Sequence, residues 1–195
     1  MCEERIDIVA IQEIVQTEFL LSELKPLSPD MFAWHCLPSS GTTGHSGGIL
    51  LGVKDATFEI GSTDRGEFCV RMELFEWVLN FKWEVIVAYG PVDHRRSAAF
   101  LAEIKRKVEA DQLSVVVGGD FHLIRLEADK SNNLVNFPRM QLFNDCIAHL
   151  GLRELDSVGA RLTWTNRQDD LNRSVLDRVL VSPEWGLCCP LAPLK

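Results

Sequence analysis

No stretch of this 195-residue chain approaches the roughly 20 consecutive apolar residues that span a bilayer, so no transmembrane helix is expected. Its opening, Met1-Cys2-Glu3-Glu4-Arg5, lacks the basic-then-apolar order of a secretory signal, and the expectation is a soluble intracellular protein. The six cysteines, Cys2, Cys36, Cys69, Cys146, Cys188 and Cys189, include no Cys-x2-Cys pair and no matching histidine spacing. That argues against a zinc module and for free thiols in a reducing compartment. A basic excess is missing too: 20 Lys and Arg face 28 Asp and Glu, a formal net charge of −8. A tight, sequence-indifferent DNA binder carries a basic face, so the acidic balance disfavours that class. It leaves room for an enzyme that touches a phosphodiester briefly through a local basic rim and a metal. Repeats, low-complexity tracts and linkers are absent as well, which points to one domain over residues 1–195.

What is present is a chain of ordinary core-forming composition, 46% hydrophobic. Ile6 to Gln12 is an apolar run of strand length ending at Glu13, and residues 17 to 24 suit a short helix with Phe19, Leu20 and Leu24 inward. A glycine-rich loop over residues 39 to 48 leads into a strand from Ile49 to Val53. Phe68, Val70, Met72 and Leu74 alternate with Cys69, Arg71 and Glu73, the period of a half-buried strand. Val85 to Tyr89 is another strand, closed by Gly90-Pro91. Phe100, Leu101, Ile104 and Val108 recur at helical spacing, with Arg95, Arg96, Lys105 and Lys107 assigned to the wet side. Leu113 to Val117 is an apolar strand running into Gly118-Gly119-Asp120. Asn136 can cap a helix striped by Met140, Phe143, Ile147 and Leu150, which Gly151 ends. Two strands follow, around Arg161 to Thr165 and Ser174 to Ser182, joined by a polar loop. Many strands and few helices in mixed order predict an α/β fold with two sheets packed together and helices outside.

Three carboxylates stand out. Glu13 and Asp120 each follow an apolar strand, where a sheet edge opens and ligands bind, although a lone acidic residue there is more often a solvated turn. The glycines before Asp120 let the backbone approach another group closely. Asp177 shares parity with Val175, Val179 and Val181, so it is expected to point with apolar side chains, where an unpaired carboxylate is costly. Either a basic neighbour such as Arg178 satisfies it, or it orients a catalytic group.

Ile11-Gln12-Glu13, Ser46-Gly47-Gly48, Ala88-Tyr89-Gly90-Pro91, Gly118-Gly119-Asp120-Phe121, Leu162-Thr163-Trp164-Thr165-Asn166 and Leu176-Asp177-Arg178 occur in that order. Each is weak alone; in register across nearly the whole chain they resemble the successive motifs of the endonuclease/exonuclease/phosphatase superfamily, the DNase-I-like fold. Thr163-Trp164-Thr165-Asn166 together with Leu176 to Trp185 resembles most the endonuclease domain of plant LINE-type non-LTR retrotransposons. The resemblance implies a four-layer α/β sandwich of two mixed sheets flanked by helices. It also implies Mg²⁺ (with Mn²⁺ as an alternative) held by Glu13, since a hard cation prefers oxygen ligands. Asp120 matches the residue that orients and deprotonates the attacking water, Tyr89 the phenol on the scissile phosphate, and Asp177 the carboxylate that buttresses a catalytic histidine. Glu13 and Asp120 are therefore expected in one pocket, with Tyr89, His122 and Asp177 around it. The loop from Asn166 to Ser174 corresponds to a hairpin that enters a DNA groove, where Arg167 and Arg173 would contact phosphates; a plain solvated hairpin is the alternative. The implied substrate is DNA, bound transiently, and the implied location is the nucleus.

The chain departs from the family pattern at His122, where the family has asparagine after Gly-Asp-Phe, and this substitution is expected to weaken the site. The family's opening strand with its metal-site asparagine and its closing Ser-Asp-His are not found, so by this resemblance the domain is incomplete at both ends. None of His35, His45, His94, His122 and His149 lies in the context of the closing histidine. The expected activity is metal-dependent phosphodiester hydrolysis, slowed by at least about a thousandfold. A sugar-phosphate or lipid phosphatase is a second possibility on the same fold. The rival from another class is a non-catalytic remnant acting as an interaction module.

Overall fold

A computed structural model of the chain describes residues 6–14, 19–27, 32–38, 47–132, 134–155, 162–165 and 172–189. Its strands are β1 (Ile8–Ile14), β2 (Phe32–Leu37), β3 (Gly48–Lys54), β4 (Phe58–Arg65), β5 (Cys69–Glu76), β6 (Phe81–Tyr89), β7 (Ser114–Asp120), β8 (Arg153–Glu154), β9 (Trp164–Thr165), β10 (Arg173–Ser174) and β11 (Asp177–Val181). The helices are α1 (Leu21–Leu24), α2 (Ser97–Val108), α3 (Phe137–His149) and α4 (Pro183–Cys188). β1, β3 and β2 form an antiparallel sheet in that order. A six-stranded mixed sheet runs β4-β5-β6-β7-β11-β8, with β6 and β7 parallel and its other pairs antiparallel. β9 and β10 pair separately as a short hairpin.

The two sheets are joined by one apolar layer and the helices by another. Ile49, Leu51 and Val53 of β3 meet Val70, Met72, Leu74, Val85 and Val87 across the inter-sheet space. On the opposite face of the large sheet, Cys69, Ile86, Ala88, Val115, Val117 and Leu180 pack on Phe100, Leu101 and Ile104 of α2 and Phe143 and Ile147 of α3. The five cysteines among the described residues are free thiols, and Cys2 lies outside them. No described helix is long and apolar enough to cross a membrane.

Local chemistry explains the element ends. Asn136 accepts a hydrogen bond from the Arg139 amide at the start of α3, and Gly151, at φ 63°, follows its end. Ser182 caps α4 by accepting from the Trp185 amide.

Several expectations are corrected. β5 is buried on both faces rather than half-buried, because it lies between the inter-sheet layer and the helices: Cys69 and Arg71 are buried along with Val70 and Met72. Leu20 is exposed, because the helix expected from residue 17 is a single turn beginning at Leu21, which leaves Leu20 outside the packed face. Lys107 is buried rather than wet, since it continues the inward stripe of α2 and its ammonium reaches Asp64. The strand expected from Ser174 to Ser182 is two elements: β10 pairs with β9, whereas β11 joins β7 in the large sheet.

Candidate active site

Sheet register assembles the site. Tyr89 is the last residue of β6 and lies opposite Asp120, the last residue of β7, and Asp120 lies opposite Asp177, the first residue of β11. Parity along each strand places all three on the inter-sheet side, where Tyr89 and Val179 flank the apolar layer. There the layer runs out and polar groups replace it. Asp120 is buried, but Asp177 is exposed at the rim, which corrects the expectation that it is enclosed among valines. Arg178 does not pair with it, pointing instead to Asp129 and Glu154 on the far face.

Glu13 arrives from the small sheet. It lies inside β1 rather than after it, at a bulge where the register with β3 shifts between Gln12 and Ile14, and its backbone is left-handed at φ 60°. A bulge of this kind re-aims one side chain out of the alternation. Gly47 makes room: a Cβ there would lie 2.5 Å from the Glu13 Cα, so any side chain would push β1 away. Gln12 then ties the two sheets, its carbonyl oxygen accepting from the Asp120 amide at 3.0 Å while its amide donates to the Ala88 carbonyl.

The ligand atoms of Glu13, Asp120 and His122 lie within 4.8 Å of one another. The Tyr89 hydroxyl donates to Glu13 Oε1 at 3.3 Å, and its ring meets the His122 ring edge-on at 5.3 Å. His122, left-handed at φ 50°, grips Asp120 twice: its amide donates to Oδ1 at 2.7 Å and its Nε2 lies 2.9 Å from Oδ2. Burial disfavours the imidazolium, but the hydrogen bond and charge of Asp120 outweigh it and raise the His122 pKa. Burial and then the charges of Glu13 and Asp120 push the Tyr89 phenol up, so it remains a proton donor. Although Asp177 is exposed at the rim, the partial desolvation of its carboxyl there raises its pKa, opposed by a hydrogen bond from Thr163 and reinforced by the Asp120 charge. Two carboxylates and an imidazole converging on one point form a donor set that fits a divalent cation.

The cluster opens into a cavity of about 410 Å³ lined by Glu13, Tyr89 and His122 on one side and by Lys130, Arg139 and Trp164 on another. His94, Lys130, Arg139 and Trp164 were not singled out as site residues from the sequence, and neither was Gln12. Gln12 carried a signal, standing beside Glu13 in the Ile-Gln-Glu triplet; Arg139 carried none, reading as one more cation on a capped helix. Arg167 lies outside the described residues. Arg173 is exposed on β10, and its hairpin gives the cavity Asn172 and Ser174 instead.

Residues 3–194 match the Endonuclease/Exonuclease/phosphatase family. The chain belongs to that family. A search of curated proteins finds no match. Among solved structures, the human nocturnin catalytic domain superposes with a TM-score of 0.60 at 14% identity, covering 91% of this chain and 69% of that one. The endonuclease domain of TRAS1, a telomere-specific non-LTR retrotransposon, gives 0.57 at 12% identity, covering 77% and 68%. A mannosyl-6-phosphatase of Bacteroides thetaiotaomicron gives 0.58 at 14% identity, covering 91% and 71%. At such identities the likeness is one of fold. Family membership indicates hydrolysis of phosphate esters, by nuclease or phosphatase chemistry.

Proposed function

We propose that this chain is a divalent-metal-dependent phosphodiesterase that nicks DNA, of the kind found in non-LTR retroelements. The convergence of Glu13, Asp120 and His122 beside the Tyr89 phenol carries the reading. Glu13, with Asp120 and His122 in reach of the same ion, would hold Mg²⁺ or Mn²⁺, and the imidazole tilts the choice toward Mn²⁺. The ion would neutralise charge growing on the phosphoryl oxygens. Asp120 takes the proton of the attacking water, its orientation fixed by the His122 amide at Oδ1. Tyr89, kept protonated, donates to a phosphoryl oxygen. Asp177, beside Asp120 in the sheet, acts on both Asp120 and His122 through its charge. DNA as substrate is supported by the motif resemblance around Thr163 to Asn166, by an exposed arginine on the β9–β10 hairpin, and by the retrotransposon endonuclease among the structural neighbours.

One observation favours a second, non-catalytic reading. The His122 imidazole already holds the Asp120 carboxylate that the base role requires. The two readings separate in a supercoiled-plasmid nicking assay with Mg²⁺ or Mn²⁺. Slow, metal-dependent nicking is expected, reduced by about a hundredfold or more in Asp120→Ala and in Glu13→Gln. His122→Asn is expected to raise the rate by freeing the carboxylate. Equal nicking by the unaltered chain and Asp120→Ala would select the non-catalytic reading.

A further inference from the structure

We infer that the cleft beside the metal-ligand cluster holds a second phosphate subsite, formed by Arg139, Lys130 and His94, that takes a non-scissile phosphate of a nucleotide strand. The inference rests on the phosphodiesterase reading and names the part of the substrate that this cleft receives.

The case begins with charge pairing. Buried cations elsewhere in the molecule meet carboxylates: Arg71 meets Glu84 and Asp111, Arg178 meets Asp129 and Glu154, and Lys107 meets Asp64. Arg139 breaks the pattern. It is half-buried, yet among the described residues no carboxylate lies within ion-pair distance of it. Its Nη2 donates to the His122 carbonyl at 3.2 Å, and its buried Nε, like those of Arg71 and Arg178, has no hydrogen-bond partner among the described residues. In a chain with eight more acidic than basic residues, a guanidinium without an acid leaves room for an anion from outside.

A lysine and a histidine line the same cavity. Lys130 donates to the Leu134 carbonyl at 2.8 Å, and no described carboxylate pairs with it either. His94 faces it from the turn before α2. Burial and then the charges of Arg139 and His122 lower the His94 pKa, as expected where positive groups crowd. Position separates this trio from the metal cluster. Arg139 is anchored on the main-chain carbonyl of His122, whereas the His122 ring turns the other way, onto Asp120. Arg139 lines the cleft, and its hydrogen bond to this part of the chain goes to a main-chain carbonyl and not to a ligand atom. A planar guanidinium fork with a flexible ammonium beside it is a phosphate-recognition pair. The rest of the lining decides what carries that phosphate. Trp164 and Leu134 are exposed large apolar side chains on the cavity wall, a surface on which a base can stack and which a small sugar bisphosphate would not use.

The test is calorimetric binding to the full chain, with Ca²⁺ present to hold back turnover. The probes are the dinucleoside monophosphate TpT, its two terminally phosphorylated forms pTpT and TpTp, and fructose 1,6-bisphosphate. One phosphorylated dinucleotide is expected to bind about tenfold or more tightly than TpT. Arg139→Gln and Lys130→Gln should each erase that gain while TpT binding stays within about twofold. Arg139→Lys should recover part of it, and circular dichroism should show each variant folded. Equal affinity for all three dinucleotides, or a gain that survives Arg139→Gln, would overturn the subsite. The bisphosphate matching the better dinucleotide would overturn its assignment to a nucleotide strand. Catalysis is judged separately: a gain that depends on Arg139 in a chain that cuts no plasmid would sink the phosphodiesterase reading and leave the subsite standing.

Discussion

Glu13 and His122 hold left-handed backbone at φ 60° and 50°, although neither is glycine. Such a residue costs about 1–3 kcal/mol and persists only where its surroundings over-determine it. Here the Gly47 approach and the β1 bulge fix Glu13, and two hydrogen bonds to Asp120 fix His122. Both residues sit in the candidate metal-ligand cluster, whereas the third left-handed non-glycine among the described residues, Asn80 at φ 49°, lies in the turn between β5 and β6. The crowd of cations beyond it has a measurable consequence at one residue. In an NMR pH titration, the His94 imidazole is expected to titrate below 6.5, and Arg139→Gln should move its midpoint upward. The sign follows from the causes: burial and the positive charges of Arg139 and His122 all oppose the imidazolium, and the substitution removes one of them. A His94 midpoint that ignores the substitution would place the guanidinium too far away to share an anion with it.

Helix α2 illustrates what an element's pattern conveys and what it omits. Phe100, Leu101, Ile104 and Val108 marked its inner face correctly, and three of the four are fully buried. Lys107 falls seven residues after Phe100, on that same face, yet its charge argued for solvent. Its ammonium is accommodated because Asp64, on β4, offers it both a carboxylate oxygen at 2.5 Å and a main-chain carbonyl at 3.2 Å. That partner is 43 residues away in sequence and invisible to local periodicity. Asp64→Ala should cost about 1–3 kcal/mol in urea denaturation, because the buried ammonium keeps only a carbonyl. Lys107→Met, which removes the charge along with its need for a partner, should cost less. The reverse order would mean that Lys107 contributes chiefly through its aliphatic stem.

Across the whole molecule, a buried ion network ties together the segments that frame the cleft. Arg178 on β11 meets Asp129, just ahead of Lys130, and Glu154 on β8; Arg125 reaches Glu154 from the loop after β7. Asp129 also accepts from the Arg125 and Leu126 amides, so that loop is shaped around its carboxylate. Removing Arg178 strands Asp129 in the interior. Arg178→Met should destabilise the protein by about 3–5 kcal/mol in thermal or urea denaturation. It should also loosen the Lys130 wall of the cavity. A loss below about 1 kcal/mol would mean that water reaches Asp129 and satisfies it.

The sequence by itself determined that Glu13, Tyr89 and Asp120 stand at or near the ends of three strands, β1, β6 and β7. The apolar runs had to be strands, Tyr89 and Asp120 close two of them, and Glu13 follows the third run at its bulge, in motifs whose order pointed to the family. Helix α3 was legible throughout, from its Asn136 cap through its stripe to Gly151, since every signal lay within a few residues of what it controlled. Contacts across sheets and layers were decided only by the tertiary structure. Strand parity put Asp177 on the right face but could not say that the inter-sheet layer ends there and leaves it exposed. His122 read as an isolated departure until the turn after β7 folded it back onto Asp120. Arg139, Lys130 and His94 have no shared period or motif, because they come from a helix, a loop and a turn that meet only once the chain has packed. Local patterns record what a residue does for its own strand or helix, whereas a partner at a distance is fixed by the packing of the layers.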